Sequence, residues 1–169
     1  MFRRFGKRNQ SDAPNTPTTS AAGSRQNDEH ARILARVPLF LDLGKRELQR
    51  ISAGTTLRDY PAGAKLVEQG SPGVGLFVVV SGRVRISQHP DGGGDEHELA
   101  VVGPDEALGE MALLDELPRS ATATALEPTR ALLLPFQDFR AALREDPDIS
   151  IKLLSVMSRR LRRAETRAY

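Results

Sequence analysis

Between residues 55 and 134, short apolar stretches alternate with turns that contain glycine or proline. The stretches are enriched in Val, Ile, Thr and Phe, and they recur roughly every ten residues, a spacing that predicts antiparallel strands in a sandwich or barrel. Gly82 predicts a tight hairpin, and the three glycines within residues 90–95 predict a flexible loop between strands. The predicted strand runs are residues 55–60, 64–70, 75–82, 83–89, 97–103, 122–128 and 130–135.

Upstream of the strands, the apolar positions suggest two short helices. Asp28 is placed to be the N-cap of a helix over residues 29–36. Val37 precedes a proline, which disfavours helical backbone and ends that helix. A second helix is predicted over residues 44–53, with Leu48 and Ile51 facing inward.

Downstream of Pro135, the apolar positions recur every three or four residues and predict two further helices. The last runs over about 147–167, with Asp146 as its N-cap and Pro147 in its first turn. One short helix, over residues 110–114, interrupts the strands. The whole pattern predicts a mainly β domain of about eight short strands with flanking helices.

Residues 1–27 are predicted to be a disordered basic and polar tail, and residues 28–169 the ordered domain. Residues 9–27 contain no aromatic or branched aliphatic side chain, so they cannot bury enough apolar surface to offset their chain entropy. The basic tip carries Phe2 and Phe5. Two interpretations are open: the tail only increases solubility, or its tip contacts an acidic membrane or partner weakly.

The composition excludes several classes of function. The chain has no cysteine and only three histidines, none with metal-ligand spacing, so we expect no metal site and no cysteine chemistry. No apolar run is long enough to span a bilayer and the N-terminus lacks a secretory signal, which predicts a cytoplasmic protein. The net charge of +2 combines basic ends with a mildly acidic body, and this distribution argues against nucleic-acid binding by the core.

The most informative motif is Gly109-Glu110-Met111-Ala112-Leu113, followed by Arg119-Ser120-Ala121. It places a carboxylate and a guanidinium at a fixed spacing around the predicted short helix, whose first N–H groups lack intrahelical partners and can face an anion. Arg119 can hold a phosphate by charge-assisted hydrogen bonds. Glu110 can accept hydrogen bonds from a diol, so together they describe a pocket for a sugar phosphate.

This motif resembles the phosphate-binding cassette of cyclic-nucleotide-binding domains. A second resemblance lies in Leu66-Val67-Glu68-Gln69-Gly70 and the glycines that follow at 73 and 82, which look like the early strands and turns of that family's β-roll. The family includes kinase regulatory subunits, cyclic-nucleotide-gated channels and catabolite-activator-type regulators. The resemblance covers residues 30–167 and implies an eight-stranded antiparallel β-roll, also called a double-stranded β-helix or jelly roll.

The resemblance also implies roles for individual residues. Arg119 would pair with the cyclic phosphate and Glu110 would accept from the ribose 2′-hydroxyl. The ligand-binding set is Gly109, Glu110, Met111, Ala112, Arg119, Ser120 and Ala121. Weaker candidates for the base pocket are Leu99, Val101, Leu108 and Leu161, the last because the final helix would cover the purine, through Leu161 or an arginine within 159–163.

Other interpretations of these residues stay open. Glu110 and Arg119 could form only a structural salt bridge with each other. The arginines of residues 159–167 could be a solvated helix face or a nucleic-acid contact. Asp115 and Glu116 lie near the cassette without any nucleophile, so we expect no catalysis. The turn at Val74-Gly75 lacks the acidic residue that is usual in the family.

The sequence thus predicts a non-enzymatic sensor of a cyclic purine monophosphate, cAMP or cGMP, without a further cofactor. The chain carries no DNA-reading segment after its last helix and no transmembrane segment, so we expect a stand-alone sensor. It would signal to an unidentified protein partner, or to a second copy, through the C-terminal helix. The alternative is a β-roll interaction or scaffold module that has lost nucleotide binding, and the choice between adenine and guanine is open.

Overall fold

A computed structural model describes residues 19–90 and 94–167. It contains eight strands in two antiparallel sheets with helices on either side, which confirms the predicted fold class. The helices are α1 (Thr19–Leu34), α2 (Lys45–Ser52), α3 (Glu110–Asp115), α4 (Phe136–Glu145) and α5 (Pro147–Arg167), with a 3₁₀ turn at Pro38–Phe40. The strands are β1 (Thr56–Tyr60), β2 (Lys65–Val67), β3 (Gly75–Ser81), β4 (Val84–Gln88), β5 (His97–Val102), β6 (Ala107–Leu108), β7 (Thr122–Ala125) and β8 (Thr129–Pro135).

Two four-stranded sheets form the β-roll. One has the strand order β1-β8-β3-β6 and the other β2-β7-β4-β5. Gly82 joins β3 to β4 with a φ of 87°, the left-handed region that glycine adopts without steric cost. The predicted glycine loop lies between β4 and β5, and residues 91–93 of it are outside the described part of the chain.

β3 is buried on both faces, which explains its uninterrupted run of apolar residues. Phe77 and Val79 point into the roll and pack with Leu66, Ala123 and the other apolar side chains between the sheets. Leu76 and Val78 face the other way and join the helical layer. That layer contains Leu34, Phe40, Ile51, Leu113, Phe139, Ile149 and Leu153. Leu113 belongs to it, so the short helix α3 is anchored on the same core as α4 and α5.

The N-terminal helix starts earlier than the sequence predicts. Residues 19–27, assigned above to the disordered tail, are helical, and Asp28 lies inside α1 instead of capping it. The reason is tertiary, because Asn27 and Asp28 exchange hydrogen bonds with α2. Asn27 Nδ2 donates to the Gln49 carbonyl over 3.1 Å, and Gln49 Nε2 donates to Asp28 Oδ1 over 2.5 Å. Residues 1–18 of the predicted tail lie outside the described residues.

A buried histidine of α1 contacts the residue that precedes β1. His30 is only 2% exposed, and its Nδ1 lies 2.7 Å from Thr55 Oγ1. The Thr55 hydroxyl donates to the Ser52 carbonyl, so His30 Nδ1 must be the donor to Thr55. His30 Nε2 is buried without a partner, and burial lowers the pKa of this imidazole. The folded protein therefore favours the neutral form of His30.

Candidate functional site

A cavity of about 460 Å³ opens between the cassette and the sheet that contains β4 and β7. Its volume lies in the range of small-molecule sites. Part of its wall is apolar, from Val67, Ile86 and Val102. The remaining lining comes from Ala107, Leu108, Gly109, Glu110, Asp115, Leu117, Pro118, Arg119, Ser120, Ala121, Thr122 and Ala123. Five of the seven predicted ligand-binding residues thus line one cavity. Met111 and Ala112 lie in α3, and their side chains are outside the described ones.

Arg119 is the buried cation of this cavity. Its side chain is 5% exposed, and its Nη2 donates to the Gly75 carbonyl. The other two guanidinium nitrogens, Nε and Nη1, are buried without a hydrogen-bond partner. Among the described residues, no carboxylate forms an ion pair with Arg119. Burial lowers the pKa of Arg119, but a guanidinium keeps its proton. A positive charge therefore lies in the wall without a counter-ion among the described residues.

Gly109 permits this placement of the guanidinium. A Cβ added at Gly109 would lie 1.8 Å from Arg119 Nη1. The backbone at Gly109 also has a φ of 82°, which residues with a side chain rarely adopt. Any other residue at position 109 would therefore displace the arginine and strain the backbone, so the glycine that opens the motif is explained by sterics.

Glu110 pairs with the last helix. Arg160 of α5 donates from Nη1 to Glu110 Oε1, while Oε2 has no hydrogen-bond partner among the described residues. Both side chains are partly exposed. The alternative in which Glu110 simply neutralises Arg119 is not what the structure contains. Instead, the carboxylate connects the cavity to α5 and keeps one oxygen for a further donor.

The weaker base-pocket candidates are distributed differently. Leu108 lines the cavity, but Leu99, Val101 and Leu161 are 56%, 43% and 62% exposed and do not. Val101 pairs with Arg85, whereas its neighbour Val102 pairs with the inward-facing Val84. Directly opposed residues share a face of a sheet, so Val101 points away from the cavity. Leu99 falls at a register irregularity in β5, and Leu161 lies on the exposed side of α5.

Val67, Ile86 and Val102 form the apolar wall of the cavity, and the sequence analysis does not single them out. Arg160 does not line the cavity but reaches the cassette from α5. Side chains alternate between the two faces of β4 and β5. With the strand register known, this alternation places Ile86 and Val102 on the inward face and Val101 on the outward face. The sequence offers Arg160 only as one of several arginines within residues 159–163 that could cover the purine, because nothing in the local sequence distinguishes it from its neighbours.

The residues that line the cavity contain no catalytic constellation. Its titratable side chains are Glu110, Asp115 and Arg119, and the Ser120 hydroxyl has no neighbouring histidine in the lining to act as a base. Within residues 19–90 and 94–167, no group of acidic or histidine side chains could hold a metal ion. None of the helices in those ranges is long and apolar enough to cross a membrane.

Comparisons with known proteins agree with this geometry. The cyclic AMP receptor protein of Thermus thermophilus is 41% identical over 128 residues, which are 76% of this chain and 59% of that protein. The crystal structure of the N-terminal domain of a Streptomyces coelicolor transcriptional regulator is 35% identical, with a TM-score of 0.73, covering 81% of this chain and 95% of that one. The regulatory domain of Toxoplasma gondii PKA, crystallised with cAMP, is 32% identical with a TM-score of 0.63, covering 70% of this chain and 44% of that one.

The chain spans 58–59% of the length of the first curated relatives it matches. The family model described as "Cyclic nucleotide-binding domain" matches residues 57–146, which run from β1 to the end of α4 and include the whole cassette. The β-roll, the buried arginine and this match lead to one conclusion: the chain belongs to the cyclic nucleotide-binding domain family.

Proposed function

We propose that this protein binds a cyclic purine monophosphate, cAMP or cGMP, in the cavity that Arg119 and Glu110 line. The observation that carries the proposal is the buried Arg119 guanidinium, which has two unpartnered nitrogens and no counter-ion among the described residues. A buried charge is costly unless it is paired. The singly charged phosphate of a cyclic nucleotide would supply the missing partner.

The neighbouring groups suit the rest of such a ligand. Glu110 Oε2 is open to accept from the ribose 2′-hydroxyl while Oε1 holds Arg160. Ser120 and Ala121 lie in the lining beside Arg119, and their backbone N–H groups would be available to the phosphate. Aliphatic side chains of Val67, Ile86 and Val102 offer the flat faces of a purine an apolar surface. This wall contains no polar side chain that would choose between adenine and guanine.

Titration calorimetry with cAMP and with cGMP tests the proposal. We expect binding of at least one nucleotide at a single site, and no heat of binding for Arg119→Met. If neither nucleotide binds at millimolar concentration to the folded wild-type protein, the proposal is wrong. The chain would then be better described as a β-roll interaction module.

We further propose that α5 is the element that transmits binding. Its first half is anchored in the core through Ile149, Leu153 and Val156. Three of its ion pairs reach different parts of the fold. Lys152 Nζ lies 2.7 Å from Glu47 Oε2 on α2, Arg159 contacts Asp42, and Arg160 contacts Glu110. The ribose and Arg160 would use different oxygens of one carboxylate, so ligand would fix Glu110 and hold α5 against the cassette.

Hydrogen exchange on Arg160→Met tests this coupling. In the wild-type protein, saturating nucleotide should slow amide exchange in residues 157–163 of α5, and Arg160→Met should lose most of that effect. Arg159→Met is the matched control, because it removes an adjacent ion pair that does not touch the cassette. Faster exchange of α5 on binding, or equal behaviour of the two variants, would contradict the proposed coupling.

The exposed side of α5 is the proposed contact for a partner or a second copy of the chain. Ile151, Leu154 and Leu161 are each more than 60% exposed and lie along one helix. By contrast, Leu153 is 4% exposed and serves the core, so a charge there would test folding and not association. Leu154→Glu should lower the sedimenting mass of a dimer while the protein stays folded, because Leu154 is 69% exposed and lies outside the core. If the wild-type protein sediments as a monomer, a second copy does not bind this face, and a different protein partner is the proposed occupant.

A further inference from the structure

The turn at residues 70–71 forms hydrogen bonds with both the N–H and the carbonyl of Arg119. The Gly70 N–H donates to the Arg119 carbonyl over 2.8 Å, and the Arg119 N–H donates to the Ser71 carbonyl over 2.9 Å. This turn connects β2 to the segment whose Gly75 carbonyl accepts from the guanidinium. The position of the arginine therefore depends on where residues 70–75 lie, although Gly70 and Ser71 do not line the cavity themselves.

Gln69 fixes that turn to the end of β4. Its side-chain amide and the His89 backbone form a reciprocal pair. Gln69 Nε2 donates to the His89 carbonyl over 3.0 Å, and the His89 N–H donates to Gln69 Oε1 over 2.8 Å. The Gln69 backbone N–H also donates to Thr122 Oγ1 over 3.0 Å. One residue thus joins three chain segments directly next to the turn that grips Arg119.

A second amide from the same end of β4 holds the other side of the arginine. Gln88 Nε2 donates to the Ser120 carbonyl over 2.9 Å. Residues 88 and 89 thus bracket the Arg119-Ser120 backbone, directly through Gln88 and indirectly through Gln69. Asparagine and glutamine amides provide donor and acceptor together, so a carboxylate or aliphatic side chain at position 69 cannot reproduce both bonds to His89.

We propose that Gln69 is a positioning residue for the anion site, one that sets the direction of the Arg119 guanidinium through the turn at residues 70–71. This inference rests on the proposed function for its ligand. Gln69 lines no part of the cavity and would touch no ligand atom. Its loss is expected to change how the phosphate is held and to leave the fold in place.

The diastereomers of a cyclic nucleotide phosphorothioate provide the readout. They differ only in which exocyclic phosphate oxygen is replaced by sulfur, so the ratio of their affinities reports the direction from which Arg119 approaches the phosphorus. General destabilisation of the protein would weaken both diastereomers and leave the ratio unchanged. The measurement uses the full chain and titrates both diastereomers of whichever nucleotide it binds.

We expect the wild-type protein to prefer one diastereomer by about ten-fold or more, the effect of one well-placed charged hydrogen bond. Gln69→Leu should reduce this preference to about three-fold or less, and Gln69→Glu, which keeps the acceptor for His89 N–H, should fall between them. Gln137→Leu, an exposed change on α4, is the control and should keep the full preference. An unchanged ratio in Gln69→Leu, whatever its overall affinity, overturns the inference.

Amide exchange in the ligand-free protein separates this inference from the proposed function. In Gln69→Leu, the Gly70 and Arg119 amides should exchange at least about ten-fold faster, while amides in β3 and β8 keep their protection. If wild-type protein binds no nucleotide, the proposed function fails and this measurement alone decides whether Gln69 positions Arg119. If Gln69→Leu does not fold, Gln69→Glu carries both measurements, and unchanged Gly70 and Arg119 exchange there overturns the inference.

Discussion

Replacing Arg119 by methionine should separate ligand binding from stability. Methionine keeps much of the apolar stem of arginine and removes only its charged end. In a structural salt bridge, such a change would cost several kcal/mol because the other charge is left behind. Arg119 has no carboxylate partner among the described residues, so its removal leaves no orphaned charge.

The expected change in the free energy of unfolding follows from two opposing contributions. Losing the donor to the Gly75 carbonyl costs about 1–3 kcal/mol, because that acceptor is left without this partner. Removing a buried charge in favour of an apolar side chain is often neutral or stabilises by about 1–4 kcal/mol. The stem contacts are largely conserved. We therefore expect the ligand-free variant to lie within about 1 kcal/mol of the wild type, or about 2–4 °C in Tm.

Ligand should distinguish the two proteins clearly. At a concentration of 100 times Kd, a ligand stabilises the wild-type fold by about 2.7 kcal/mol, a rise in Tm of roughly 5–10 °C. Arg119→Met should show no such rise at the same concentration. Thermal unfolding is recorded for both proteins with and without nucleotide, and Arg144→Met, an exposed change on α4, serves as the control.

Two results would refute this reasoning. If ligand-free Arg119→Met is destabilised by more than about 3 kcal/mol, the arginine has a structural role that outweighs its burial cost. If the variant keeps the full ligand-induced rise in Tm, the phosphate is not held by Arg119. The second result would place the binding energy in other groups of the lining.

Three further predictions concern neighbouring residues. Gly109→Ala should weaken nucleotide binding at least about ten-fold in a titration, because its Cβ displaces the guanidinium, whereas Gly63→Ala, with a similar φ of 84° but open space around it, should bind normally. Glu110→Gln should weaken binding less than Arg119→Met does, by about 1.5–3 kcal/mol or less, because the Glu110 carboxylate would contact a neutral hydroxyl. Equal losses of affinity in the two variants would show that the roles are assigned wrongly. Because burial lowers the pKa of His30, the unfolded chain takes up a proton below the ordinary histidine pKa of 6.5 that the folded protein does not. The free energy of unfolding should therefore fall as the pH drops from about 7 to 5.5 in denaturant titrations, and a slope that is unchanged in His30→Asn would contradict this.

Local patterns sufficed for much of this fold. The apolar run at residues 76–80 and the helical spacing of Phe136 and Phe139 each correspond to an element of the structure. The two-residue strand β6 was missed because it is too short to show a period, and its pairing with Phe77 and Val78 depends on a partner distant in sequence. The start of α1 was misplaced because hydrogen bonds to α2, which only the folded chain reveals, secure its polar residues.

The candidate site divides in the same way. The spacing of Gly109, Glu110 and Arg119 is local, and the structure brings these residues together in one cavity. Arg160 comes from a helix 50 residues further along, and its choice over Arg159 follows from which side of α5 faces the cassette. Which residues of β5 join the apolar wall depends on which face of the strand points inward. The sequence does not determine that face where the strand register is irregular.

If the protein binds a nucleotide as proposed, the ion pair between Arg160 and Glu110 would limit how strongly α5 and the ligand influence one another. A partly exposed pair contributes up to about 1 kcal/mol, which corresponds to roughly a five-fold change in affinity. Coupling is reciprocal, so a partner that holds α5 through this contact would tighten nucleotide binding by the same factor. Transmission through this one bond alone would therefore shift the binding of a partner by no more than about five-fold. A larger response would require a second subunit or partner to add contacts of its own to α5.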